Sequence, residues 1–274
     1  MNDTSIQNVL RHLGDTQDHV ALINPVSGKR ITDLPQHSAE QVEAKIRASR
    51  EYAKTWSQTS VRERAQILMR THDLMFKNQD MLLDVLQLET GKSRAHAFEE
   101  FAGATGAARY YGKHAPKFLR REKTTAGVPL VTKTWVEHDA VGVVGVITPW
   151  NYPMALTMLD VLPALAAGNA VVQKADNQTT LTTLFCRLMA IQAGLPEEAW
   201  TVVVGDGATV GNAITDNVDY VAFTGSTNTG RFVAERASRR LIGYSLELGG
   251  KNPMIVLPGA NLGRAAELAI GAAF

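Results

Sequence analysis

One cysteine in 274 residues excludes an intramolecular disulfide and points to a reducing compartment. An excess of either charge is also missing. The 28 basic and 27 acidic residues leave a net charge of +1, so no long-range field draws the chain to nucleic acid or to a membrane. No block of lysine and arginine stands out. No stretch reaches the ~18 uninterrupted apolar residues of a membrane span. The opening MNDTSIQNVLRHLGD has no basic stretch leading into an apolar one, so no secretory signal is read. Internal repeats, low-complexity tracts and long Pro/Gly/Ser linkers are absent from the sequence. These absences predict a cytoplasmic protein with neither nucleic acid nor membrane as partner, and they leave its chemistry open. What is present is an ordinary globular composition, 45% hydrophobic and 20% charged, in a chain long enough for one large domain or two small ones.

The first half reads as mostly helical. Ser38 and Gln41 have capping-box spacing ahead of Val42, Ile46, Ala53 and Trp56, which recur at helical period. Ser60 and Glu63 form a second, cleaner box before Ala65, Leu68, His72 and Met75, and His72 on that apolar stripe reads as core rather than as a ligand. A third helix carries Met81, Leu82, Val85, Leu86 and Leu88 and ends at Gly91. After Gly127 the texture changes. Pro129 to Glu137 mix Val, Thr and Trp without helical period, which suits one or two strands. From Ala140 onward AVGVVGVIT, NAVVQKA, WTVVVG, YVAFTG and NPMIVL alternate with helix-length segments or loops. That alternation predicts an α/β fold, a doubly wound, mostly parallel sheet covered on both faces.

Four segments have the residue types that chemistry needs. In FTGSTNTG, Gly225 and Ser226 lie between a strand and a helix, where small residues let backbone N–H groups approach a pyrophosphate. The same pattern also serves tight packing alone, as it can at Gly205, Gly207 and Gly211. Lys174 stands at the C-terminal end of a strand, where open α/β sheets collect ligands, and a solvated lysine has the same address. In TPWNYP two prolines stiffen the backbone around Trp150 and Asn151. A side-chain amide held there can donate to a developing oxyanion, or simply form a turn. In LELGGKNP a carboxylate, Glu247, precedes two glycines. Set in a cleft and partly desolvated, its pKa would rise toward the range of a general base; otherwise it is a surface charge.

In their order and spacing these segments resemble the aldehyde dehydrogenase family over about half the chain. The wording ITPWNYPMALTMLDVLPALAAGNAVVQK and RRLIGYSLELGGKNPMIV is similar to the bacterial NADP-type succinate-semialdehyde dehydrogenases. The resemblance implies covalent catalysis through a thiolate, with Asn151 stabilising the oxyanion and Glu247 activating water to hydrolyse the thioester. It implies a small aldehyde as substrate, no metal, and a cofactor site made by Trp150, Asn151, Lys174, Ala175, Asp176, Asn177, Gly225, Ser226 and Leu248. Members that prefer NAD commonly carry a glutamate where this chain has Asn177. A neutral side chain there removes repulsion against a 2′-phosphate, and Lys174 could pair with that phosphate. NADP is therefore the expected cofactor, with NAD possible.

The resemblance also implies an organisation. Residues 1–124 would be the N-terminal helical part of the cofactor domain, 125–139 the β segment of an oligomerisation arm, and 140–274 the Rossmann-like NAD(P)-binding domain. A homodimer or tetramer is expected of the intact enzyme. The family's nucleophilic cysteine follows the helix after ELGGKNP, whereas here the apolar helix from Ala265 to Phe274 comes last. The expectation is a truncated aldehyde dehydrogenase without turnover of its own. The alternatives are an NADP-binding pseudoenzyme and a fragment that only pairs with another subunit. Two residues depart from the family pattern. Cys186 lies on an apolar helical stripe ahead of Glu247 and reads as a buried, inert thiol. Asp160 occupies a position where many relatives have lysine or arginine, which puts the grip on a substrate carboxylate in doubt.

Overall fold

The computed structural model describes residues 3–128 and 130–273; Pro129, the first residue of the expected arm segment, and Phe274, the last of the expected apolar helix, lie outside them. Helix α1 (Asp3–Leu10) leads into a hairpin of β1 (Asp18–Ile23) and β2 (Arg30–Gln36), paired antiparallel. The helical reading of this region missed the hairpin. β1 buries Leu22 alone and β2 buries Thr32, Leu34 and Pro35, which leaves no clear apolar alternation to mark a strand.

The helices begin where the caps predict. Helix α2 (Ala39–Trp56) opens on the complete reciprocal box: Ser38 Oγ accepts from Gln41 N, and Gln41 Oε1 accepts from Ser38 N at 2.9 Å. For α3 (Val61–Lys77), Ser60 Oγ accepts from Glu63 N at 3.2 Å. His72 is half-buried rather than core, paired with Asp73 and tilted against the Phe76 ring. Helix α4 (Gln79–Thr90) stops at Gly91, whose φ of 71° is left-handed, and α5 (Arg94–Phe118) follows. Next come β3 (Glu122–Thr124) and β4 (Thr134–Val136), an antiparallel pair that straddles the expected boundary at 124/125.

Five parallel strands form the central sheet: β5 (Val143–Ile147), β6 (Ala170–Lys174), β7 (Trp200–Val203), β8 (Tyr220–Thr224) and β9 (Gly243–Glu247), in the order β7-β6-β5-β8-β9. The helices between them are α6 (Pro153–Ala166), α7 (Thr180–Gln192), α8 (Asn212–Asn217) and α9 (Thr227–Arg239). β5 is buried throughout and splits its side chains by alternation. Val144 and Val146 enter the core shared with α3 to α7, while Val143 and Ile147 enter the core shared with α2, α8 and α9. The N-terminal helices therefore share the hydrophobic core on one face of the sheet.

One expected strand is corrected. NPMIVL is not a strand; the fifth strand is the preceding GYSLE, which pairs with β8 through Thr224↔Glu247. Met254, Ile255, Val256 and Leu257 are exposed, with no neighbouring strand among the described residues to satisfy their backbone. The last helix, α10 (Leu262–Ala273), buries none of its residues.

Candidate active site

The strand order sets the place of the site. From β5 the chain winds outward through β6 and β7, then returns to the other side of β5 for β8 and β9. The crevice at such a reversal, past the carboxyl ends of the strands, is where open α/β sheets bind ligands. A cavity of about 310 Å³ opens there, between Ile147, Thr148 and Pro149 after β5 and Phe223, Thr224 and Gly225 at the end of β8. Thr148 is held from below by a buried polar chain. Trp200 Nε1 donates to Gln173 Oε1 at 3.0 Å, and Gln173 Nε2 donates to Thr148 Oγ1 at 3.0 Å and to Thr157 Oγ1 at 2.7 Å.

Of the helices that follow these strands, α6 and α7 have N-termini occupied by the protein's own carboxylates, and α8 begins at Asn212 in the wall of the crevice. Neither α6 nor α7 has a side-chain cap at its own N-cap residue. Glu100 Oε1 instead accepts from Met154 N at 2.8 Å and Ala155 N at 3.2 Å at the start of α6. Glu89 accepts from Leu181 N at 2.8 Å and Thr182 N at 2.7 Å at the start of α7. Burial pushes Glu89 up to about 8, against the hydrogen bonds from Thr182 and Leu181 that favour its charge. The first turn of α9 is exposed. Ser226 Oγ caps Thr229 N at 3.1 Å, and Ser226 to Thr229 are exposed; Ser226 and Thr229 line the crevice. Gly225 is required where it stands, because a Cβ would meet Phe223 Cζ at 2.6 Å. An exposed first helical turn reached through a glycine fits an anion such as a pyrophosphate.

A second cavity of about 870 Å³ continues from the first, sharing Pro149, Trp150, Gly225 and Ser226. Asn151, Tyr152, Asp160, Tyr111, Glu247 and Leu248 also line it. Leu248 packs over Gly230 of α9, where a Cβ would lie 2.5 Å from Leu248 Cδ2. The desolvation expected of Glu247 is absent, since the residue is exposed at the free end of the edge strand β9. The half-buried carboxylate of this chamber is Asp160, pushed up to about 6 by burial and then by the charge of Glu247.

Most of the predicted site residues come together. Trp150, Lys174, Asp176, Gly225 and Ser226 line the first cavity, and Trp150, Asn151, Gly225, Ser226, Glu247 and Leu248 line the second. Ala175 and Asn177 line neither. Ala175 is fully buried, and the Asn177 amide is committed elsewhere, with Nδ2 donating to Gln36 Oε1 at 3.0 Å and Oδ1 accepting from Gly205 N at 3.2 Å. Asp176 is the residue after the strand that reaches the crevice. Lys174 is buried with Nζ donating to Ala175 O at 3.2 Å; burial lowers its pKa, and Asp176 and Asp206 act against that shift. Thr229, inside FTGSTNTG but not singled out there, also lines the crevice, with Phe232 and Asn212, which no motif marked. Phe232 is 66% exposed, among the charged residues Arg231, Glu235, Arg236 and Arg239 of α9.

A doubly wound parallel sheet with its crevice at the switch point is the architecture of an α/β dinucleotide-binding domain. The aldehyde dehydrogenase family model matches residues 12–274, and the chain belongs to that family. It is 50% identical over 248 residues to a Mycolicibacterium smegmatis protein named "Putative succinate-semialdehyde dehydrogenase NADP(+)", covering 90% of this chain and 48% of that one. It is 34% identical over 257 residues to the NADP(+) succinate-semialdehyde dehydrogenase of Escherichia coli K12, covering 93% of this chain and 53% of the relative. Among solved structures, an E. coli NADP-dependent enzyme superposes with a TM-score of 0.89 at 33% identity, over 93% of this chain and 53% of that one. The Staphylococcus aureus betaine aldehyde dehydrogenase in complex with NAD+ gives 0.91 at 27% identity, over 99% and 57%. The chain thus spans about half the length of the curated relatives it matches. No helix among the described residues is long and apolar enough to cross a membrane.

Proposed function

We propose that this chain is the cofactor-binding part of a succinate-semialdehyde dehydrogenase and that it binds NADP in the crevice between β5 and β8. The observation that carries the reading is the exposed first turn of α9 behind Gly225, in a sheet where the N-termini of α6 and α7 are filled by Glu100 and Glu89. Ser226 and the first turn of α9 would hold the pyrophosphate, and Phe232 offers an apolar wall to the adenine. Lys174 and Asp176 would meet the adenosine ribose. Lys174 favours a 2′-phosphate, while the neighbouring Asp176 opposes it, so NAD remains a usable second ligand. NADP, when bound, supplies the hydride acceptor.

In the second chamber the side-chain amide of Asn151 would donate to the oxyanion of an aldehyde adduct, and Glu247 would take a proton from water. Trp150 and Leu248 would flank the nicotinamide end. Residues 125–139 would serve as the arm through which subunits of a dimer or tetramer associate. Asp160 does not suit the carboxylate of succinate semialdehyde, so the anionic end of that substrate would be held by other residues. The chain's one cysteine, Cys186, is fully buried in α7 and lines neither cavity, which supports the proposal that this chain alone has no dehydrogenase turnover.

Calorimetric titration tests the reading. NADP is expected to bind more tightly than NAD, and Asp176→Asn to widen the gap. Absence of binding by both dinucleotides rejects the cofactor site; tighter NAD binding rejects the preference. Substrate is tested by joining the chain to the C-terminal half of the M. smegmatis relative. The hybrid is expected to oxidise succinate semialdehyde with higher kcat/KM than neutral aldehydes of similar length, and equal use of the neutral ones rejects the substrate.

A further inference from the structure

We propose that Lys92 and Glu100 form a positioning pair that fixes the Asn151–Tyr152 segment, and that they act on the nicotinamide end of the site without touching ligand. The inference rests on the cofactor reading above. Its geometry links the two ends of one buried pair to two adjacent residues of the chamber. Glu100, fully buried on α5, places Oε1 between the N–H groups of Met154 and Ala155, at 2.8 and 3.2 Å. These are among the first N–H groups of α6, and Asn151 lies immediately ahead of that helix. The other carboxylate oxygen accepts from Lys92 Nζ. That same ammonium sits 3.7 Å from the centroid of the Tyr152 ring, and Tyr152 lines the second chamber beside Asn151.

The pair therefore does two things with one charge each. The carboxylate clamps the start of α6, which TPWNYP itself cannot do, because Tyr152 at the N-cap offers no side-chain cap. The ammonium neutralises that buried carboxylate and holds the Tyr152 ring by a cation–π contact. Asn151 is exposed and lies in a bend, with helix only on its C-terminal side. The aim of its amide thus depends on where α6 begins, and a small shift of an oxyanion donor carries a large cost in alignment. Removing the Lys92 ammonium leaves the buried Glu100 carboxylate with the two N–H groups alone, and removing the carboxylate leaves half-buried Lys92 without its ion pair. Neutralising both keeps the clamp, since a glutamine oxygen still accepts the two N–H groups and a methionine fills the lysine stem, but gives up the cation–π hold on Tyr152.

The test uses Lys92→Met, Glu100→Gln and the double variant of this chain. NADPH and 2′-phospho-ADP-ribose, which lacks the nicotinamide, are titrated against each. The side-chain amide resonance of Asn151 is followed by ¹H–¹⁵N spectroscopy. Each single variant is expected to bind NADPH roughly tenfold more weakly, and 2′-phospho-ADP-ribose within about twofold of the parent. The Asn151 resonance is expected to move in both singles and to shift back toward the parent position in the double variant, which keeps the clamp, with NADPH affinity recovered only in part because the cation–π contact is gone. Equal losses for both ligands, or an unmoved Asn151 resonance in the singles, overturn the proposal. If Glu100→Gln alone does not fold, Lys92→Met against the double variant carries the same comparison. Failure of the parent chain to bind either ligand would reject the cofactor reading, while the Asn151 resonance would still decide the role of the pair.

Discussion

Asp160, in the middle of α6, and Glu247, at the end of β9, present two carboxylates to one chamber, and the charge of Glu247 adds to burial in raising Asp160 to about 6. Two like charges in one chamber resist simultaneous ionisation. A proton near neutral pH therefore resides on Asp160 more readily than on an ordinary aspartate.

Removing the Glu247 charge should return part of this shift. In Glu247→Gln, carboxyl ¹³C titration is expected to show the Asp160 midpoint below about 6 but still above its ordinary value of 3.8, because the larger cause, burial, remains. The sign for stability follows from a raised folded pKa: the contribution is full below 3.8 and is lost as pH rises through about 6. An unchanged midpoint in the variant would show that the two carboxylates do not interact.

Glu89 gives a second pH dependence. Its folded pKa of about 8 lies above the ordinary 4.5, so the folded chain holds a proton that the unfolded chain has released across that interval. Stability is expected to fall as pH rises from 4.5 to about 8. Thermal melts of the parent and Glu89→Gln at several pH values test this. The parent's stability relative to the variant should be greatest at low pH and fall as pH rises from 4.5 to about 8; a pH-independent difference excludes titration of Glu89.

Cys186 should be inert in the folded chain. Burial raises its thiol far above the ordinary value of 9.0, and the charges of Glu100 and Glu89 add to the effect. A thiol reagent is expected to label it only at the rate of unfolding, and Cys186→Ala should leave NADP affinity unchanged. Fast labelling of the native chain would contradict its burial.

Gly145 in β5 tests the packing beneath the site. A Cβ there would run into Ile214 Cγ2 and lie 3.0 and 3.2 Å from the two methyls of Val218, all buried. Overpacking of this kind costs about 1–3 kcal/mol. Gly145→Ala should lower the denaturant midpoint accordingly without a change in the slope of the transition; a midpoint equal to the parent's would mean that α8 yields freely.

Local signals in the sequence determined much of this protein. Ser38 and Gln41 stated where α2 begins because a capping box is closed within four residues. Four of the five expected strands were legible because apolar runs such as VVGVI are buried on both faces of a parallel sheet. The segments around Asn151, Lys174, Gly225 and Glu247 were found because each interrupts such a pattern at a strand end. Tertiary structure decided what depends on distant partners. NPMIVL has strand composition but no neighbour to pair with, whereas GYSLE found the edge of β8. Asn177 was expected at the ribose, yet its amide is consumed by Gln36 and Gly205, 141 and 28 residues away in the chain, leaving Asp176 at the crevice. No motif in the sequence marks Glu89 or Glu100. Only packing brings them to the N–H groups of α7 and α6, because hydrogen-bond partners separated by 92 and 54 residues leave no mark in local spacing.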